Sequence, residues 1–329
     1  MARRLRWLII IILATIAFWR LAPEFSIVSS ALEYRERLKT PWLALALLSQ
    51  AGQYFGSGWL SQIILKIAGF RINLKNTFLV SCLNVFAAHI LPIGDAGVVA
   101  ATFYFYRRLG VAPSSIIFMA ITWPIFGGVA LLTIFLFSLF YLPKTPTLTY
   151  HPSIISLTVI TLIITIALVF FFGNHRLLTK IKTYLSRLRV FKEVIRFKNN
   201  LPLYKKALLV NKFLVFQGLL AAFIYYLTNV ATLVLSFRAF GDQPPISVIA
   251  FAYTLSLVAG WITFAPAGIG AAEATLILVF LHFGTKGTLA VAAVLVFRLI
   301  TFWLPIPLGA LAFKILMKNS QKKTATHHV

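Results

Sequence analysis

The sequence predicts an all-α polytopic membrane protein, built as an inverted repeat with two broken, re-entrant helical hairpins at mid-membrane. Three observations carry that prediction. Hydrophobic residues make up 60% of the 329 and charged residues only 12%, a balance with which a soluble domain would expose apolar surface on every side. Long apolar runs alternate with short basic linkers. Two runs are interrupted by Pro and Gly, in P-I-G-D-A-G at Pro92 to Gly97 and F-A-P-A-G-I-G-A-A-E-A at Phe264 to Ala274. The formal charge of +24 does not point to nucleic acid, because Lys and Arg gather between apolar runs and no nucleic-acid motif accompanies them. The single Cys82 excludes an intramolecular disulfide and a cysteine-based metal cluster, and neither metal nor cofactor is expected.

The whole chain, 1–329, reads as one transmembrane domain. Arg3, Arg4 and Arg6 flank an apolar run from Leu5 to Ala22 with no small-residue cleavage site after it, which makes it an uncleaved first span. Residues 24–40 mix charged and apolar residues as an interfacial helix does. Pro41 to Leu65 is a second span, opened by Pro where a helix tolerates it, and Gly52, Gly56 and Gly58 allow another helix close approach. Thr77 to Leu91 breaks at Pro92, Gly94, Asp95 and Gly97 and resumes as far as Arg107. Each arm would reach roughly 20 Å, short of a hydrocarbon core of about 30 Å, so a hairpin is expected.

Pro113 to Leu142 is a long span in which Pro124, Gly127 and Gly128 predict a kink, and Ser153 to Phe172 is another span. Residues 173–212 hold 11 Lys or Arg against the single acid Glu193, as either an amphipathic helix on an anionic leaflet or a docking site for a partner. Phe213 to Phe237 is the next span. Ile246 to Ala265 leads into the second break, where Pro266 cannot donate a backbone hydrogen bond and Gly268 and Gly270 let the chain turn. Ala271 to Phe283 returns, Thr288 to Phe313 is the last span, and a disordered tail is expected over 317–329.

Placing both termini and the 173–212 segment in the cytoplasm puts 23 of the 31 Lys and Arg inside, the bias expected of an inner or plasma membrane protein. The hairpins then enter from opposite sides. They also match at one offset of 174 residues, Pro92 with Pro266, Gly94 with Gly268, Leu83 with Leu257 and Gly110 with Gly284, giving repeat-like halves of about 41–142 and 213–313.

In each hairpin the second arm starts at mid-membrane, where its free amides and positive dipole end would attract an anion such as a phosphate. Arg298 could add a forked donor. Glu273 has three readings: a capping-box carboxylate three residues past Gly270, an ion-pair partner of Arg298, or a proton carrier. Asp95 either caps the arm starting at Ala96 or faces the site. His89, Asn84 and Gln53 either line a polar cavity or tie helices together.

With P-A-G-I-G-A-A-E at 266–273 and R-L-I-T-F-W-L-P-I-P-L-G at 298–309, the chain resembles the lysylphosphatidylglycerol synthase transmembrane family of flippase-like integral membrane proteins. That family shows P-G-G-x-G-x-x-E and, about 25 residues on, an Arg followed by an aromatic pair and a Gly. Pro266, Gly268, Gly270, Glu273, Arg298 and Gly309 match, while Ala267 and Ala272 depart from the pattern. The first half is also similar, with L-P-I-G-D-A-G at 91–97 and R-R-L-G-V at 107–111.

The resemblance implies movement of an anionic lipid or polyprenyl-phosphate-linked substrate between leaflets, and the residues themselves suggest Glu273 and Arg298 as the gate of its headgroup site. Membrane lipids would be its partners, with either a second copy or another membrane protein alongside. A proton-coupled small-solute carrier and a membrane-embedded transferase acting on a lipid-linked substrate are the alternatives. Catalysis is not expected, since no nucleophile motif or phosphate loop appears and the sequence ends at Val329 without the soluble domain of the lysyl-lipid synthases.

Overall fold

The computed structural model describes residues 38–90, 95–143, 189–262 and 270–325, which are helical with no strand among them. The expected first span, the span at 153–172 and the tips of both breaks lie outside the described residues. Ten α-helices follow one another among the described residues: α1 (Thr40–Ile67), α2 (Leu74–Ile90), α3 (Asp95–Arg108), α4 (Pro113–Phe140), α5 (Arg189–Val210), α6 (Lys212–Ala239), α7 (Ile246–Ile262), α8 (Ala271–His282), α9 (Gly287–Arg298) and α10 (Pro305–Ala325). A π-helical turn, Leu299–Trp303, joins the last two.

The order repeats. α1 begins at Thr40 and α6 at Lys212, α2 at Leu74 and α7 at Ile246, each pair 172 residues apart and equal in length. After the breaks the offset becomes 174, with α4 opening at Pro113 and α9 at Gly287. Leu83 therefore corresponds by helix position to Leu255, not to Leu257, because the helices before the breaks are offset by 172 residues. The helix ends repeat as well. Gly110 and Gly284, with φ of 86° and 85°, close α3 and α8 in the same way. In each, the next residue donates five residues back (Val111 to Tyr106, Thr285 to Phe280) and the glycine donates three back, a Schellman turn in which the left-handed backbone favours Gly.

The repeated units run in opposite directions. Lys39 N–H donates to Ala239 O at 2.8 Å, and Ser49 Oγ donates to Thr228 O at 2.8 Å, so the start of α1 meets the end of α6. A Cβ on Gly56 would stand 2.7 Å from Tyr225 N and 2.9 Å from Ala221 O, so glycine alone permits this backbone contact. α3 packs beside α2, where Thr102 bonds Asn84, and its close meets α10, with Arg108 Nη1 3.3 Å from Met317 Sδ and Phe105 edge-on to Phe313. The close of α8 meets the close of α6, where Phe280 packs on Phe237.

This is an all-α polytopic membrane protein. Among the described residues, three helical stretches are long and apolar enough to cross a membrane: Pro113–Phe140, Lys212–Ala239 and Gly287–Lys318. α1 matches them in length but turns a polar face, with Gln50 and Gln53, into the bundle. Large apolar side chains point outward, among them Leu48, Phe137, Phe213 and Leu278, a surface suited to lipid. The arms α2, α3, α7 and α8 have 17, 14, 17 and 12 residues, or about 26, 21, 26 and 18 Å, short of the hydrocarbon thickness.

α4 is helical throughout, with Pro124 inside it. The last expected span is one apolar helical stretch, Gly287–Lys318, in which a π turn follows Arg298. One feature differs from expectation. α10 continues to Ala325, so residues 317–325 of the expected disordered tail are helical, as their Lys, Gln and Ala content permits. Of the basic segment, 189–210 forms α5, and it docks on the bundle. Tyr204 stacks on Phe118 with centroids 4.5 Å apart and bonds the Ser114 and Ser115 hydroxyls at 3.2 and 3.1 Å.

Candidate functional site

α8 restarts the chain after the second break. Gly270 precedes it with φ +85°, and the first helical bond runs from Ala274 N to Gly270 O at 3.0 Å. Glu273 stands at the third helical position and reaches back, so that Gly270 N–H donates to its Oε2 at 2.7 Å. This is the carboxylate half of a capping box, the half open to a glycine, which has no side chain to reciprocate. A negative charge in the first turn also meets the positive end of the helix dipole.

The other oxygen is used elsewhere. Glu273 Oε1 lies 2.7 Å from Arg298 Nε, with the side chains 15% and 16% exposed. Among the described residues the Nε–H has no acceptor in hydrogen-bonding alignment, so the contact is a close ion pair and not an aligned bond. Arg298 is the last residue of α9 and is set by its neighbours, Phe297 standing edge-on to Tyr253 of α7 with centroids 6.4 Å apart. Beyond it the backbone widens into the π turn, where Leu304 N–H donates to Leu299 O at 3.0 Å. Pro305 and Pro307 explain the change of winding, since neither can donate to the carbonyl four residues before it. Such turns inside helices are frequent at functional sites.

The pair breaks the repeat. At the offset of 174, Arg298 corresponds to Pro124 and Glu273 to Val99, so the first half has no counterpart to either charge.

The other expected residues are placed as follows. Pro92, Gly94, Pro266 and Gly268 lie outside the described residues. Asp95 is the first residue of α3, one position before the expected start, and His89 is the penultimate residue of α2. Gly97 is buried in the first turn of α3. Asn84 ties helices together, its Oδ1 accepting from Thr102 Oγ1 at 3.0 Å between α2 and α3. Gln53 Oε1 accepts from Gln50 Nε2 within α1.

Sequence reasoning missed Gln50 and Tyr54. Both are buried, and neither Gln50 Oε1 nor the Tyr54 hydroxyl finds a hydrogen-bond partner among the described residues. The signal was present, as positions 50, 53 and 54 share one helical face in the middle of an apolar span.

The comparisons with known proteins agree with this architecture. The family model described as "Lysylphosphatidylglycerol synthase TM region" matches residues 6–309. A UPF0104 membrane protein of Methanocaldococcus jannaschii is 24% identical over 275 residues, covering 80% of this chain and 81% of that protein. A UPF0104 membrane protein of Methanothermobacter thermautotrophicus is 29% identical over 107 residues, 32% of each chain, and another from that organism is 34% identical over 86 residues, 26% of each. The match spans both halves of the repeat and includes Glu273 and Arg298: the chain belongs to the lysylphosphatidylglycerol synthase transmembrane-region family.

Proposed function

We propose that the protein moves an anionic lipid, or a polyprenyl-phosphate-linked substrate, between leaflets, with Arg298 exchanging the Glu273 carboxylate for the substrate's phosphate. The observation that carries this reading is the ion pair itself. A guanidinium held between short helices, against a carboxylate that keeps a second partner in the Gly270 amide, can be released without leaving Glu273 unbonded. Arg suits the exchange because its planar fork accepts a phosphate as readily as a carboxylate.

The reading includes re-entrant hairpins opening to opposite sides, each arm pair too short to cross. The family membership and the opposed directions of the repeats support it. It also places the protein in the cell membrane with both termini in the cytoplasm, because the end of the bundle carrying α5 and α10 holds most of the described Lys and Arg. No reaction step belongs to this function. Membrane lipids are the partners it requires.

Proteoliposomes containing fluorescent anionic and zwitterionic lipids test it. Headgroup-selective movement by the wild type, lost in Glu273→Ala and Arg298→Ala at matched folding, is the expected result. Equal movement in all three proteins would remove the pair from the mechanism, and uptake of a small solute driven by a proton gradient would replace lipid as the cargo.

A further inference from the structure

The basic end of the bundle contains a pocket that the Glu273–Arg298 site does not use. It has a volume of 410 Å³ and lies between the last turns of α1, the α1–α2 linker and the first turns of α6. α8 and α9 contribute nothing to its lining. The linker is folded back by Gly69, whose φ of +89° lets Phe70 N–H reach Leu65 O at 2.8 Å. Gln62 Nε2 then donates to Ile72 O at 2.9 Å and fixes the linker against α1. This brings Arg71 to the same rim as Lys66. Ile63, only 3% exposed, lies beneath, while Trp59 and Gln217 form the walls.

Both cations are exposed, and among the described residues neither has a carboxylate within ion-pair distance. Two cations with no described carboxylate beside them, two side-chain amides and an indole at the end of an apolar helix form the chemistry of a phosphate bound at the level of lipid headgroups. The volume lies in the range of ligand pockets and is far below that of a whole lipid, so it admits a headgroup and leaves the tails outside.

We propose that this pocket is a binding site for a phosphate-bearing anion, presented as the headgroup of an anionic phospholipid, with Lys66 and Arg71 on the phosphate oxygens. Gln62 and Gln217 supply polar contacts to the remainder of the headgroup, and Trp59 packs beside the glycerol. The site requires no transport and stands whether or not Arg298 exchanges partners.

The test uses the full chain purified in detergent and native mass spectrometry with phosphatidylglycerol and phosphatidylcholine. Wild type should retain phosphatidylglycerol selectively. The double variant Lys66→Ala/Arg71→Ala should bind it roughly thirtyfold more weakly, as expected for two lost interfacial cations. Lys75→Ala/Lys318→Ala, which removes two exposed cations outside the pocket, should leave retention unchanged, and thermal transitions confirm that each variant is folded. Unchanged selectivity in the first variant, or an equal loss in the second, overturns the proposal. A separate arm adds inorganic phosphate without lipid. Stabilisation of the wild type that the first variant lacks would confirm the phosphate site and assign it to a soluble anion in place of a headgroup.

Discussion

Glu273 serves two elements at once, one oxygen holding the Gly270 amide at the start of α8 and the other holding Arg298 at the end of α9, each at 2.7 Å. The restart of the broken helix and the π turn of the last span are therefore joined through a single side chain. A charge in this place would be costly alone, and the pairing offsets that cost. Removing one partner should leave the other uncompensated, a loss of about 3 to 5 kcal/mol for a buried pair and less here because both side chains keep some exposure.

The dual role makes a sharp prediction. In the charge-reversed protein Glu273→Arg/Arg298→Glu the ion pair could re-form, but an arginine cannot accept from Gly270 N–H and would sit at the positive end of α8. Thermal unfolding in detergent should therefore show no rescue relative to the single variants. Glu273→Gln should be milder than Glu273→Ala by about 1 kcal/mol, because its amide oxygen can still accept the cap bond. Full rescue by reversal would mean that the cap contributes nothing.

Two glycines of similar appearance should respond oppositely. Gly56→Ala forces a Cβ into the α6 backbone, with contacts of 2.7 to 3.0 Å, and should destabilise by about 1 to 3 kcal/mol or prevent assembly of α1 on α6. Gly128→Ala in α4 meets nothing within 4 Å among the described residues and should be neutral or stabilising by up to about 1 kcal/mol. Melting temperatures of the two purified variants decide it.

α5 should come loose when Tyr204 is truncated. Tyr204→Ala loses the stack on Phe118 and the contacts to both serine hydroxyls, a change of about 3 to 5 kcal/mol for a buried aromatic residue. Limited trypsin digestion should then cut the basic sequence around Arg196 to Lys206 far faster than in wild type. Unchanged cleavage would show that α5 is held from elsewhere.

Cys82 provides a check on both packing and orientation. It is buried beside Tyr54 and Ala312, so a maleimide should label it only after unfolding. In a Cys82→Ala background, Lys286→Cys should react with a membrane-impermeant maleimide in intact cells, and Lys205→Cys only after the membrane is opened. Both positions are exposed and lie at opposite ends of the bundle. The reverse pattern would invert the proposed topology.

By itself the sequence determined the membrane class, because a chain with so few charges has no other stable solvent, and it determined the breaks, because Pro and Gly act on their own backbone wherever they stand. Gly110 and Gly284 could be matched for the same reason. The π turn has a local contributor too, since Pro305 and Pro307, just beyond it, cannot donate to Thr301 and Trp303. What pairs with what was decided by the tertiary structure. Nothing in the spacing of Glu273 could choose between cap and ion pair, and only the packing of α8 beside α9 revealed that its two oxygens allow both. Likewise Lys66 and Arg71 read as one more basic linker until the Gly69 turn and the Gln62 bond brought them to a common rim, because the distance between charges on a folded loop depends on contacts that no single stretch of sequence contains.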